Sequence, residues 1–261
     1  MRETVTIDGI RMAYCRFGSG ERTMVILPGL SIKSVTAAEE FLVDAFAAFT
    51  EAFTVYVFDR RDNPPETYPL EEMAEDTARV MSSLGLADCC IFGASQGGML
   101  AQLIAITHPE LTSRLVLGST TSRGADSAAA VVDSWQTLAR EGRTGELART
   151  TVEYLYSPAT VAAAGDAIIA GMQPITADDL TRFIRLASGT PAFSCAERLG
   201  EIRAKTLVVG CFGDRVVGWR ASVELAERLG CPLFLYGPEY GHAVYDEAPD
   251  YRRRVLDFFL S

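Results

Sequence analysis

The sequence predicts an α/β protein: a mainly parallel sheet with helices on both faces, interrupted once by a helical insertion. Three observations predict it. Short runs of Val, Ile and aromatic residues, too short for helices, recur along the chain and read as strands buried on both faces. Segments with apolar residues at three- and four-residue spacing lie between them, and strands alternating with helices build a parallel sheet. The alternation stops near Ser122 and resumes only at Thr206. At roughly 150 residues per domain, 261 residues fit one large domain with a sizeable insertion. A hydrophobic share of 48% and a charged share of 22% supply a substantial core and exclude a disordered or collagen-like chain.

Val5 and Ile7, then Met12 and Tyr14, alternate on either side of Asp8-Gly9, a dipeptide suited to a tight turn, so the chain opens as a hairpin. Runs at Met24 to Leu27 and Phe53 to Phe58 read as strands, with a helix between them from about Ala37 to Phe49. From Leu70 to Leu84 the spacing of Leu70, Met73, Thr77, Val80, Met81 and Leu84 predicts an amphipathic helix. Acidic residues crowd its first turn and Gly85 follows its last. Cys89 to Phe92 repeats the strand signal, Met99 to Ile106 the helical one and Leu115 to Leu117 the strand. Residues 122–204 then hold helical patterns at Ala128 to Ala139, Glu146 to Tyr156, Val161 to Met172 and Ala177 to Ala187, without a convincing strand. The last unit is a strand at Thr206 to Val209, a helix at Trp219 to Leu229, a strand at Leu233 to Tyr236, a loop with His242 and a helix at Tyr251 to Phe259. The reading divides the chain into a core of residues 1–121 and 205–261 and an insertion of residues 122–204.

Charge and composition narrow the functions. With 24 Lys plus Arg against 34 Asp plus Glu, the formal net charge of -10 repels phosphate backbones, so a nucleic-acid partner is not expected. No stretch approaches the roughly 18 apolar residues of a membrane span, and Met1-Arg2-Glu3-Thr4 opens without a signal-peptide core, so a cytoplasmic protein without a membrane partner is expected. The six cysteines show no C-x-x-C spacing, and Cys89 and Cys90 should point to opposite faces of their strand as packed thiols. Two histidines are too few for a multi-histidine metal site, and neither a metal nor an organic cofactor is expected.

Residues 93–97 read Gly-Ala-Ser-Gln-Gly, a G-x-S-x-G match that chance alone gives in about one chain in ten of this length. Its setting is what counts: it leaves a buried strand and opens a helix, as a nucleophile elbow must. A serine at so sharp a turn needs very small neighbours two residues away, and Gly93 and Gly97 meet that need. The helix start also aims free N–H groups at the site where an oxyanion would form. The plain alternative is a glycine-rich turn with an exposed serine.

A serine hydroxyl needs a base. His108, in Thr-His-Pro-Glu, falls at the far end of the helix after the elbow, which suits a helix-terminus or surface role. His242, in Tyr240-Gly241-His242-Ala243, follows a strand at the carboxyl rim of the sheet, where active sites of open α/β sheets assemble, and is the candidate base. Asp214, in Cys211-Phe212-Gly213-Asp214-Arg215, follows the preceding strand onto the same rim and is the candidate orienting carboxylate, the alternative being a turn aspartate or a salt bridge with Arg215. Asp246 and Glu247 rival it in nearness to His242 but run into what reads as the cap of the terminal helix. The chain order is Ser95, Asp214, His242.

With these residues in place, the chain resembles the α/β-hydrolase superfamily over nearly its whole length. Leu27-Pro28-Gly29-Leu30, Phe58-Asp59-Arg60-Arg61, the elbow, Gly213-Asp214 and Gly241-His242 with Glu247 and Pro249 fall in register. The resemblance implies an eight-stranded sheet, a cap over the active site formed by the insertion, and an oxyanion hole from the backbone N–H groups of Leu30 and Gln96. Two positions depart from the common pattern: Pro28 stands where many members have a histidine, and Asp62-Asn63-Pro64-Pro65 replaces a glycine after the Asp-Arg-Arg run.

The expected activity is hydrolysis of a small or medium apolar carboxylic ester or thioester through an acyl-enzyme, Ser95 attacking, His242 acting as base and Asp214 orienting it. Large apolar residues in the insertion, among them Trp135, Leu138, Tyr154 and Phe183, would shape the acyl pocket. The resemblance equally admits carbon–carbon bond hydrolysis, lactone opening, acyl transfer and cofactor-free perhydrolysis. A different class stays open as well: a low-turnover ligand-binding protein on the same fold.

Overall fold

The computed structural model describes residues 1–124 and 128–261. Residues 125–127, which belong to the expected insertion, lie outside the described residues. The elements follow the chain as β1 (Arg2–Ile7), β2 (Ile10–Phe17), β3 (Arg22–Leu27), α1 (Glu39–Ala45), β4 (Phe53–Arg61), α2 (Leu70–Ser83), β5 (Cys89–Ala94), α3 (Gln96–Thr107), β6 (Thr112–Gly118), α4 (Ala128–Arg140), α5 (Thr144–Leu155), α6 (Pro158–Gly171), α7 (Ala177–Ser188), β7 (Lys205–Cys211), α8 (Trp219–Leu229), β8 (Leu233–Tyr236), α9 (Val244–Glu247) and α10 (Tyr251–Leu260).

The strands form one eight-stranded sheet in the order β1-β2-β4-β3-β5-β6-β7-β8. β1 and β2 pair antiparallel through a turn at Asp8-Gly9, β2 joins β4 antiparallel, and every pair from β4 to β8 is parallel. β3 sits between β4 and β5, so the chain reverses its direction of travel across the sheet there. The loops after β3 and β5 emerge side by side, with Leu27 opposite Gly93. That is the crevice in which open α/β sheets bind their ligands.

Side chains of the inner strands alternate between two apolar layers. One layer joins Val25, Leu27, Cys89, Ile91 and Leu117 to α2, α3 and α8; the other joins Met24, Ile26, Cys90, Phe92 and Val209 to α10 and the segment around Phe46 and Phe49. Cys89 and Cys90 therefore fall on opposite faces, as a two-residue period requires. α3 is buried on all sides from Gln96 to Ile106, which explains its nearly continuous apolar composition.

The single helix expected from about Ala37 to Phe49 is instead broken. A 3-10 turn at Val35–Ala38, the seven-residue α1 and a second 3-10 turn at Ala47–Phe49 follow one another. α1 itself buries no residue, whereas Thr36 before it and Phe46 and Phe49 after it are buried. Within α1, Leu42 and Ala45 are only partly buried against the same layer, so the middle is held less firmly than the ends.

Between β6 and β7 the described chain forms α4 to α7, with one isolated bridge between Arg123 and Ser194. These helices share a third apolar cluster, in which Ala128, Val132, Trp135, Leu147 and Phe183 pack with Ile32, Val216 and Val217 from the loops after β3 and β7. α7 begins with a capping box between Thr176 and Asp179. Further along, Arg182 pairs with buried Asp59 at 2.6 Å and Arg185 donates to the Pro64 carbonyl at 2.9 Å.

Candidate active site

Ser95 stands between β5 and α3 with φ 52° and ψ -123°, a left-handed conformation that a residue with a side chain adopts only when its surroundings impose it. The surroundings are explicit. A Cβ on Gly97 would lie 1.8 Å from the Leu27 carbonyl oxygen, and one on Gly93 would lie 2.7 Å from the Gly97 oxygen. The strand leaves no room for side chains at either position, and the turn projects Ser95 outward. Thr120 Oγ1 donates to the Ser95 carbonyl at 2.7 Å and the Ser95 N–H donates to Gly118 at 2.9 Å, which fix the turn from the β6 side.

His242 follows β8 in a loop held on both sides. The Gly241 N–H donates to Glu247 Oε2 at 2.6 Å, Cys211 Sγ donates to the Gly241 carbonyl at 2.9 Å, and the Ala243 N–H donates to the Leu155 carbonyl at 2.7 Å. The imidazole is fully buried. Its Nδ1 lies 2.9 Å from each carboxylate oxygen of Asp214, and its Nε2 has no partner among the described residues. Nδ1 thus donates to the carboxylate, leaving Nε2 as the free, basic nitrogen.

Asp214 lies in the loop after β7, also buried, and its Oδ1 accepts the N–H groups of Val216 at 2.8 Å and Val217 at 3.0 Å. Burial pushes its pKa up, but His242 and the two backbone donors outweigh that and hold the carboxyl below its ordinary value. Arg215 does not pair with it; its guanidinium reaches the carbonyls of Glu153 and Tyr156.

Ser95 and His242 line one small cavity of about 20 Å³, with Leu30, Gln96, Met99, Ala128, Val132, Trp135, Leu155, Thr190, Val216 and Val217 as its other walls. Space for about one water molecule remains. The backbone N–H groups of Leu30 and Gln96 donate to no acceptor among the described residues. The structure places His242 on Asp214 by a hydrogen bond and puts Ser95, Leu30 and Gln96 in the same cavity as His242, but no hydrogen bond joins Ser95 Oγ to His242 Nε2. His108 sits apart at the end of α3, where Nε2 pairs with Glu75 at 2.8 Å.

Three contributors escaped the sequence reading. With Pro28 in place of a histidine, the loop after β3 is braced by Arg60, whose guanidinium donates to the Pro28 carbonyl at 2.7 Å. Burial draws the Arg60 pKa down to about 10, so the group still carries its charge at neutral pH. The Asp-Arg-Arg run was the signal available for it. Glu247, read as a helix cap, lies in the separate turn α9, and its two oxygens accept from Gly241 and from Ser157 at the start of α6. Burial raises its pKa, while Thr160, Ser157 and the Gly241 N–H together bring it below its ordinary value. The Gln96 side chain ties the elbow to α7, its Nε2 donating to the Leu186 carbonyl at 2.8 Å and to Thr190 Oγ1 at 3.0 Å.

The sequence profile of the alpha/beta hydrolase family matches residues 24–253, from β3 into the last helix. The chain belongs to the alpha/beta hydrolase family. Among relatives of this hydrolase are RutD of Caulobacter segnis, provisionally named a carbamate hydrolase, 26% identical over 99% of this chain and 98% of its own. The serine hydrolase BPHL of Mus musculus is 25% identical over 98% of this chain and 85% of its own. Among solved structures, MGS-M2, an alpha/beta hydrolase from a Medee basin deep-sea metagenome library, superposes with a TM-score of 0.88 at 22% identity over 99% of this chain and 98% of that one. The enol-lactonase of Burkholderia xenovorans LB400 superposes at 0.85 and 18% identity, over 99% and 100% of the two chains. Eight strands in a mainly parallel sheet are common ground with these folds. Among the described residues no helix is long and apolar enough to cross a membrane, and no cluster of potential metal ligands occurs.

Proposed function

We propose that this hydrolase cleaves a small carboxylic ester or thioester through an acyl-enzyme on Ser95. His242 Nε2 takes the Ser95 proton as Oγ attacks the acyl carbon; the carbonyl π electrons move to oxygen, and the N–H groups of Leu30 and Gln96 receive the oxyanion. Collapse breaks the bond to the leaving oxygen or sulfur, which takes the proton from His242. Water, deprotonated by His242, then attacks the acyl carbon, and Ser95 departs reprotonated with release of the acid. Asp214 holds the imidazole in the required tautomer and balances the imidazolium formed in each half-reaction. The helices α4 to α7 act as a cap that closes over the acyl group.

The observation that carries this reading is the free Nε2 of His242 in a buried cavity shared with Ser95, while Nδ1 is engaged by Asp214. The cavity's size supports a short acyl group. The same size favours one second reading, hydrolysis of a carbamate, the reaction in the name of the Caulobacter segnis relative.

The test is a panel of short esters, thioesters, lactones, an aryl carbamate and a vinylogous 1,5-diketone, assayed with the wild type and Ser95→Ala. Turnover of short esters by the wild type, abolished in Ser95→Ala, is expected. Equal rates in the two proteins would refute the assignment.

A further inference from the structure

Three residues lining the cavity carry a buried side-chain polar atom without a partner among the described residues: His242 Nε2, Trp135 Nε1 and Gln96 Oε1. The proposed chemistry uses the first. It gives no work to the other two, and a buried polar atom left unpaired costs free energy unless a ligand or water meets it.

Trp135 lies in α4, 4% exposed, its ring edge-to-face against Tyr154 at 6.1 Å. Its indole N–H can only donate. Gln96 is 2% exposed, and its amide orientation is fixed because Nε2 donates to the Leu186 carbonyl, which can only accept. Oε1 is therefore the unpaired end and can only accept. Apart from Ser95 and from Thr190, whose Oγ1 accepts from Gln96 Nε2 at 3.0 Å, the rest of the wall, with Leu30, Met99, Val132, Leu155, Val216 and Val217, is apolar. A mostly apolar pocket that holds an unmet donor and an unmet acceptor selects for a polar substituent beside the scissile carbonyl.

We infer that the substrate's acyl part carries a hydroxyl group, which accepts from Trp135 Nε1–H and donates to Gln96 Oε1. Trp135 is then a specificity-determining residue, and the acyl group is polar rather than the apolar one expected from the sequence. This rests on the acyl-enzyme reading above.

The test uses one isosteric pair, phenyl glycolate against phenyl propanoate, which exchange OH for CH3. kcat/KM is measured for each with the wild type and Trp135→Phe, which keeps the aromatic body and removes the N–H. Intrinsic differences in ester reactivity cancel in the ratio of ratios. The polar-over-apolar preference, read as the ratio of the two kcat/KM values, should fall about 10-fold or more in Trp135→Phe. An unchanged preference in an active variant overturns this inference and leaves the acyl-enzyme standing. A wild type that turns over neither ester and resists phosphonate labelling overturns both.

A second measurement needs no folded variant. The chain has two tryptophans, so the wild type shows two indole N–H resonances. Glycolate, the product acid, should move the Trp135 resonance and propanoate should not. Identical responses to the two acids would contradict the proposal.

Discussion

Replacing Asp214 by Asn changes one oxygen to an NH2 group and tests the logic of the His242 pair. In the native protein Asp214 Oδ1 accepts from Val216 at 2.8 Å and Val217 at 3.0 Å, and both oxygens face His242 Nδ1 at 2.9 Å. Asparagine has one acceptor oxygen. Two buried backbone N–H groups compete for it, and leaving them unpaired costs about 1–3 kcal/mol each. The carbonyl therefore stays with Val216 and Val217, and the amide NH2 faces Nδ1. Nδ1 must then accept, which moves the ring proton to Nε2, the nitrogen that should receive the Ser95 proton. A base of the wrong tautomer with no balancing carboxylate lowers kcat about 10⁴-fold, or about 5 kcal/mol of transition-state stabilisation. Short-ester turnover at neutral pH measures it, with circular dichroism to show that the fold is retained. An Asp214→Asn enzyme within about 10-fold of the wild type would refute the reasoning, because the tautomer would then be immaterial.

Other consequences are separable. Gly97→Ala should destabilise the protein by on the order of 4 kcal/mol in urea unfolding, because its Cβ would fall 1.8 Å from a backbone oxygen, whereas Gly145→Ala in α5 meets nothing within 4 Å and should be neutral or stabilising by about 0.5–1 kcal/mol. Glu247→Gln leaves either Gly241 or Ser157 without an acceptor, so Tm should fall by about 2–4 °C per kcal/mol lost and kcat should drop more than KM changes. Asp214, held below its ordinary pKa, contributes stability that is fully present above its unfolded-state value of about 3.9 and is lost as pH falls through the lower folded value. The gap in unfolding free energy between wild type and Asp214→Asn should therefore be constant above about pH 5 and narrow below about pH 4. A gap that widened toward acid would contradict the sign.

The elbow and the rim were legible because local sterics write them into a few adjacent residues. Gly93 and Gly97 flank Ser95 for a reason that needs no long-range contact, and β5 and α3 bracket them with strong patterns. The strand-helix alternation made the parallel sheet readable, while the place of β3 between β4 and β5 depends on pairings that no local pattern carries. The helix expected at Ala37 to Phe49 broke into shorter pieces because full burial falls at Thr36, Phe46 and Phe49, while Leu42 and Ala45 between them are only partly buried. Bracing interactions were hidden for another reason. Arg182 and Asp59 are 123 residues apart and Gln96 and Leu186 are 90 apart, so only the folded chain makes them neighbours. Trp135 shows the same limit: its spacing in α4 identifies a packed aromatic, and the unpaired N–H is visible only in the cavity.

The measurement that bears most directly on the whole account is covalent labelling with a fluorophosphonate, followed by intact mass and peptide mapping. The account predicts rapid, stoichiometric addition of one phosphonyl group at Ser95, abolished in Ser95→Ala and severely slowed in Asp214→Asn. Tight binding of the reagent without a mass increase, or modification at any other residue with Ser95 untouched, would contradict it.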